Sequence, residues 1–264
     1  MLSTVILLSC LLAWTALTLT TAFPLPTPHR AALQRRENPS KGQWVNILSA
    51  YTPDNRTKML DCMSFNRAVM SGGYPRPYPE QCDDFLRYLE SEGDIDSVQE
   101  AAMFLTQVLW ESDGLRHKVE KACIGNKCAG QYASNLDHTR KDGKANQYYG
   151  RGYIQLTWAA NYLDASKAIF GDERLLITPD LVITDELTSW RTSFWYWKHR
   201  VHIMSEVSKG QFGATTRAIN GGLECDGPNQ HIAKLRFELY QKILQVMAPK
   251  AKPNPEGCYP VTDD

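Results

Sequence analysis

Apolar residues recur at helical spacing along most of the chain, and the clearest run follows Ser97. Val98, Ala101, Ala102, Leu105, Val108 and Leu109 fall on one stripe of a 3.6-residue repeat. Ser97 and Glu100 have the spacing of a capping box, so the helix is expected to start there. The turn pair Asp113-Gly114 ends it. A stripe this continuous predicts a central helix. Residues 58–70 and 80–92 predict two more, parted by the Gly- and Pro-rich loop 71–79. Residues 161–170 read as another. Thr184 is placed to cap a helix over 185–199 whose buried face is Leu187, Trp190, Phe194 and Trp197, with Ser193, Trp195 and Tyr196 off that face. Residues 218–225 read as a short element running into a glycine turn. Pro228 suits the first turn of a last helix. Its stripe is Ile232, Leu235, Leu239, Tyr240, Ile243 and Val246, and Arg236 falls beside it.

One stretch breaks this period: Gln147-Tyr148-Tyr149-Gly150-Arg151-Gly152-Tyr153-Ile154-Gln155-Leu156-Thr157-Trp158. Its second half alternates as a strand does, with Ile154 and Leu156 on one face and Tyr153, Gln155 and Thr157 on the other. Gly150 and Gly152 allow a tight turn or a close backbone approach. An amide and a hydroxyl beside aromatic rings form a surface suited to a sugar, which offers ring faces for stacking and hydroxyls for hydrogen bonds. The alternative is an ordinary buried strand after a glycine turn.

The ends carry different signals. Residues 1–22 contain an apolar, uncharged run followed by Thr20-Thr21-Ala22, which predicts a secretory signal peptide cut before Phe23. Residues 23–42 are rich in Pro, Arg and polar side chains and predict a flexible leader or propeptide, with Arg35-Arg36 as a candidate processing site. Residues 43–264 are then a single domain, large enough to fill one core or two lobes. The formal net charge is zero, and near −3 without residues 1–36, so no nucleic-acid partner is expected. No apolar run after the signal spans a bilayer, so no membrane partner is expected after cleavage. The expected product is a secreted, extracellular monomer.

Seven cysteines occur, and Cys10 leaves with the signal. The even number left in an exported chain implies disulfides, with 15 pairings open. Cys123 and Cys128 would close a small loop if paired, and Cys258 would staple the tail. No CxxC spacing is present and the histidines lie apart from the cysteines, so neither a metal nor another cofactor is expected. Asn55-Arg56-Thr57 is an N-glycosylation sequon. Residues 137–144 read as a mobile surface loop. These signals describe a mainly α, disulfide-stapled domain.

Glu111 and Glu120 follow the central stripe. On one continuous helix, nine residues would set two side chains about 180° apart and roughly 13 Å along the axis, too far to share a site. The Asp113-Gly114 break lets the chain turn and bring Glu120 back across a cleft. The plain alternative is two solvated charges.

Three stretches together resemble the family 19 chitinases, glycoside hydrolases with a lysozyme-like, mainly helical fold in two lobes around a central cleft with a small β element. They are Tyr148-Tyr149-Gly150-Arg151-Gly152-Tyr153-Ile154-Gln155-Leu156-Thr157 with Asn161-Tyr162 following; Ile219-Asn220-Gly221-Gly222-Leu223-Glu224-Cys225 with Arg236 and Tyr240 beyond; and Phe104-Leu105-Thr106-Gln107 leading to Glu111. The helix over 181–197 is also similar to the family's. The match runs over residues 60–258. The departures are Trp110 and Ser112 where the family has His and Thr around the acid, Tyr153 in place of proline, and Ala159-Ala160 in place of Asn-Tyr. The plant proteins' cysteine before the base is also missing.

The resemblance, of the short-loop type, implies endo-acting, inverting hydrolysis of β-1,4-linked N-acetylglucosamine, in chitin or its oligomers. Glu111 matches the general acid and Glu120 the general base. Inversion requires roughly 6.5–9.5 Å between the carboxyls, leaving space for a water. The acid is expected in apolar surroundings, beside Trp110, that keep it protonated. Arg236 and Glu224 match a network that tunes the base, Thr157 the hydroxyl that holds the attacking water, and Gln155, Asn161 and Asn220 substrate-binding residues. Cys225–Cys258 and Cys123–Cys128 match family bridges, and Cys62–Cys82 takes the two cysteines left. Other readings are a lysozyme- or chitosanase-like glycosidase, or a catalytically silent chitin-binding protein. Hydrolysis tests on chitin oligomers, chitosan and bacterial walls separate them.

Overall fold

The computed structural model of the chain describes residues 60–258 apart from 126, 133, 135 and 137–144. The expected signal peptide, leader, Arg35-Arg36 pair, Asn55 sequon and 137–144 loop lie outside the described residues. Among those described, the helices in chain order are α1 (Cys62–Ser71), α2 (Pro79–Tyr88), α3 (Val98–Glu111), α4 (Ala159–Phe170), α5 (Arg174–Ile177), α6 (Leu181–Thr184), α7 (Glu186–Tyr196), α8 (Ser205–Ser208), α9 (Phe212–Glu224) and α10 (Gln230–Met247). No described helix is long and apolar enough to cross a membrane. Three disulfides staple the domain, Cys62–Cys82, Cys123–Cys128 and Cys225–Cys258, as expected.

The central helix is α3. The Ser97 hydroxyl accepts the Glu100 N–H, which is one half of the expected capping box. The other half is not made. Glu100 is buried and spends one carboxylate oxygen on Trp197 Nε1 (2.8 Å) and His202 Nδ1 (2.7 Å). Every residue of α3 from Glu100 to Leu109 is buried. Helix α10 packs across α3 and α1, and α9 packs on both α10 and α3. The core between α1, α2, α3 and α7 is aromatic: Phe104 lies 4.7 Å from Phe194 and 5.3 Å from Trp197, and Phe65 lies 4.8 Å from Phe85, ring centre to ring centre.

Five expectations about elements are corrected. Asp185, not Thr184, caps α7, because its carboxylate accepts the Thr188 N–H. Leu187 is only half-buried, whereas Ser193 and Trp195 are buried, because α7 runs through the core and has hardly any solvent face. Residues 197–201 leave the α-helical period in one π turn, closed by the His202 N–H on the Trp197 carbonyl. The last helix starts at Gln230, with Pro228 ahead of it, and its buried line is Ala233, Arg236, Leu239, Tyr240, Ile243, Leu244 and Met247. Leu235 is exposed and Arg236 is inside, because carboxylates wait for it there. Residues 218–225 are not a separate element but the end of α9, kinked at Asn220 (φ −144°, ψ 33°).

The stretch 151–157 is not a strand. It is a turn closed by a bridge between Arg151 and Leu156, with positive φ at Gly152 (73°), Gln155 (54°) and Trp158 (75°). The β structure among the described residues consists of isolated bridges. Tyr153 therefore points into the core beside Trp190 (4.9 Å), on the same side as Ile154 and Leu156. Its hydroxyl donates to Glu186 and accepts from Gln81 Nε2. Arg151 holds the turn from inside: it is 2% exposed, lies 3.6 Å over the Tyr149 ring, and donates to the Gln147 carbonyl (2.7 Å) and Asp180 (3.0 Å). Gly152 is required twice, by its φ and by Val182 Cγ1, which stands 2.8 Å from where a Cβ would be.

Candidate active site

Glu111 ends α3, and the chain then reverses. Asp113, Gly114 and Leu115 all take left-handed backbone (φ 52°, 73° and 64°). Buried Ser112 locks the reversal: its hydroxyl donates to the Val108 carbonyl and accepts the Leu115 N–H, and its carbonyl accepts the His117 N–H. Outside, Asp113 Oδ2 gathers Arg116 (2.7 Å), His117 (3.3 Å) and Lys121 (3.4 Å). The Arg116 hydrogen bond is the main cause holding the Asp113 carboxyl below its ordinary value. The chain then runs beside 150–152: the Gly152 N–H bonds to the Lys118 carbonyl, and Glu120 N–H to the Gly150 carbonyl. That return places Glu120 in the same opening as Glu111.

The opening is a cleft of about 710 Å³ whose walls include Glu111, Glu120, Gln155, Thr157, Asn161 and Asn220. All six residues expected to act on or hold substrate are thus brought together. Thr157 Oγ1 donates to the Gln155 carbonyl (2.7 Å), Asn161 Nδ2 to the Thr157 carbonyl (2.9 Å), and Asn220 Nδ2 to Glu224 (2.6 Å). A larger hollow, about 1310 Å³, shares only His117 and Val119 with the cleft and contains neither glutamate. Its charged side chains are occupied structurally, Arg151 with Asp180 and Lys118 with Glu186. The cleft, not the larger hollow, holds the candidate residues.

Two expectations about the carboxyls are corrected. Glu111 is not in apolar surroundings: Arg236 Nη2 reaches its Oε1 at 2.5 Å. Nor do Arg236 and Glu224 stand on the base. Arg236 makes a bidentate pair with Glu224 (Nε 2.7 Å, Nη2 2.7 Å), donates to Gln107 Oε1 (2.8 Å), and meets Glu111, the acid candidate. Both Arg236 and Glu224 are 2% exposed. Burial lowers the Arg236 pKa, but the Glu111 and Glu224 carboxylates outweigh it and hold the guanidinium above its ordinary value. The physical reason for the placement is α10: its buried line brings Arg236 under the C-terminal turn of α3.

Glu120 has other partners. The Tyr132 hydroxyl donates to its Oε1 (2.8 Å) and the Gly150 N–H to its Oε2 (2.9 Å). A Cβ on Gly150 would stand 2.9 Å from Gln155 Oε1 and 3.4 Å from Glu120 Oε2, so this glycine lets two cleft side chains approach the backbone. One carboxylate oxygen of Glu120 also lies within 4.8 Å of Cys123 and Cys128 Sγ, but those sulfurs are joined to each other and offer no thiolate to a metal.

Sequence reasoning missed Tyr132, Trp158 and Gln107. Tyr132 lies in a polar stretch with no period. Trp158 is 56% exposed at the cleft with its ring 5.1 Å from that of Tyr132. It was legible only as the last ring of the 147–158 stretch. Gln107 sits in the quoted Phe104-Leu105-Thr106-Gln107 motif, and its amide links Arg236 to Thr215 and Thr216.

The family model described as chitinase class I matches residues 84–206. An acidic endochitinase of Beta vulgaris is 39% identical over 148 residues, 56% of this chain and 49% of its own length. An endochitinase of Arabidopsis thaliana is 37% identical over 164 residues, 61% of this chain and 56% of its own length. The chain thus spans about half the length of these plant relatives. Chitinase C of Streptomyces griseus superposes with a TM-score of 0.59 at 26% identity, covering 78% of this chain and 97% of that one. A bacterial family 19 chitinase superposes with a TM-score of 0.57 at 30% identity, covering 74% of this chain and 96% of that one. With a solved relative matched over nearly its whole length, the chain belongs to the family 19 glycoside hydrolases, the family of the class I chitinases.

Proposed function

We propose that this protein is an endo-acting chitinase that cleaves β-1,4 bonds between N-acetylglucosamine units with inversion. The observation that carries the reading is one cleft holding Glu111, Glu120 and Thr157 together. Glu111 gives its proton to the glycosidic oxygen. Glu120 takes a proton from a water, whose oxygen attacks the anomeric carbon from the face opposite the leaving group as the C–O bond breaks. Thr157 spends its one O–H on the Gln155 carbonyl, so its oxygen lone pairs are left to accept a hydrogen from that water. Glu224 already balances the Arg236 charge through two hydrogen bonds. A proton on Glu111 therefore leaves the Glu111–Arg236–Glu224 group neutral, whereas losing it leaves one net negative charge.

Gln155, Asn161 and Asn220 offer amides to the sugar and its acetamido group, and the exposed ring of Trp158 offers a face for a pyranose. Residues 43–264 act as one catalytic domain after removal of the leader, and the three disulfides suit export. The test is Glu111→Gln on N-acetylglucosamine oligomers. Turnover is expected to vanish while oligomer binding persists, and the wild type is expected to release the α-anomer first by proton NMR. Undiminished turnover removes Glu111 from the acid role; a β-anomer released first contradicts inversion.

A further inference from the structure

We infer that Tyr132, folded back onto Glu120 by the Cys123–Cys128 bridge, is the positioning residue of the catalytic base. The inference rests on the reading of Glu120 as that base.

Glu120 stands at the start of a single 3₁₀ turn, Lys121–Cys123, and the Cys123 N–H bonds back to the Glu120 carbonyl (2.9 Å). Cys123 joins Cys128 five residues on, and the Gln131 N–H turns onto the Cys128 carbonyl (3.0 Å). This closed loop delivers the Tyr132 hydroxyl to Glu120 Oε1 at 2.8 Å, twelve residues along the chain. The two sulfurs lie within 4.8 Å of one oxygen of the same carboxylate.

A glutamate on irregular backbone has three side-chain torsions to fix. Here each oxygen takes one donor, Tyr132 on Oε1 and the Gly150 N–H on Oε2. The two donors come from different segments and set the plane of the carboxylate. A carboxylate has about four acceptor sites, so roughly two remain for water. Burial, and then the hydrogen bond to Glu120, push the Tyr132 phenol up to about 12, so it stays a donor at any working pH. Its ring rests on Trp158, which gives the phenol a fixed wall.

The experiment measures hydrolysis of an N-acetylglucosamine hexamer by Tyr132→Phe, which keeps the ring and its contact with Trp158. The expected result is kcat lower by about tenfold with KM within about twofold, the split that follows when an interaction serves the transition state rather than ground-state binding. The thermal midpoint should not move. The paired Cys123→Ser/Cys128→Ser variant should lose kcat similarly, and adding Tyr132→Phe to it should cost little more, because both act through one contact. A spectroscopic arm follows the Tyr132 phenol: in Glu120→Gln its titration should fall from about 12 toward the ordinary 10. Wild-type kcat in Tyr132→Phe, a change confined to KM, or an unmoved phenol titration would each overturn the inference. An inactive Glu120→Gln beside a fully active Tyr132→Phe would leave the base reading standing and remove only Tyr132. A fully active Glu120→Gln would remove the base reading and the inference with it.

Discussion

Glu111 ends a helix of 14 residues and leans on a guanidinium that is itself 2% exposed and bound to a second buried carboxylate. Glu120 sits on backbone without helix or strand, between a left-handed reversal and a disulfide-closed loop, and takes its partners from Tyr132 and Gly150. One carboxyl is held by long-range packing of helices, α3 against α9 and α10. The other is held mainly by local chain geometry. Damage on the first side should therefore appear as lost stability, and damage on the second as lost rate with the fold intact.

The largest expected effect is on the acid side. Arg236→Ala leaves Glu224 buried without its cation, and unpairing a buried charge costs about 3–5 kcal/mol. Chemical denaturation should show a correspondingly lower midpoint, with activity lost as well; a midpoint close to wild type would mean the triad is not a structural tie. Next comes Gly150→Ala on the base side. The added Cβ meets Gln155 Oε1 at 2.9 Å and Glu120 Oε2 at 3.4 Å, both movable side-chain ends, and Gln155 Cβ at 3.3 Å. A displacement of a reacting group by about 1 Å costs up to about 10²-fold in rate, so kcat should fall by about one to two orders of magnitude while the thermal midpoint barely shifts. Equal losses in both measurements would erase the contrast between the two sides.

The smallest effect is expected at Asp113. Asp113→Asn loosens the clasp on Arg116, His117 and Lys121, which is partly exposed, so the loss should stay under about 1 kcal/mol. Because the folded-state carboxyl titrates below its ordinary 3.8, the clasp stabilises fully above that value and fades as pH falls through the lower folded value. Melting curves of wild type and variant should differ at neutral pH and converge on acidification. A gap that widened in acid would contradict the assignment.

The helices were legible where one physical cause acted alone. Ser97 and the stripe after it place α3, because capping and burial point to the same residues. The sequence misled where a polar group had a partner inside. Arg236 falls beside the expected α10 stripe, yet Glu224 and Glu111 take it into the core and leave Leu235 outside. The same holds for Glu100, which forgoes the reciprocal cap for Trp197 and His202. Residues 153–157 alternate like a strand, but Arg151 ties its own neighbourhood into a turn, and alternation alone does not report positive φ. The cleft side chains were named through motif similarity, and the structure gathers them. Tyr132 had no such signal: only the folding of the small disulfide loop brings it to Glu120.

The π turn over 197–201 has a further consequence. Its additional residue brings the Trp197 indole and the His202 imidazole to the same oxygen of Glu100, in the first turn of the helix whose far end carries Glu111. Deleting one residue there would restore ordinary winding and rotate one of the two rings about 100° away. Glu111, the acid candidate, would then depend on a rod anchored less firmly at its opposite tip, so a lesion far from the cleft would be felt inside it.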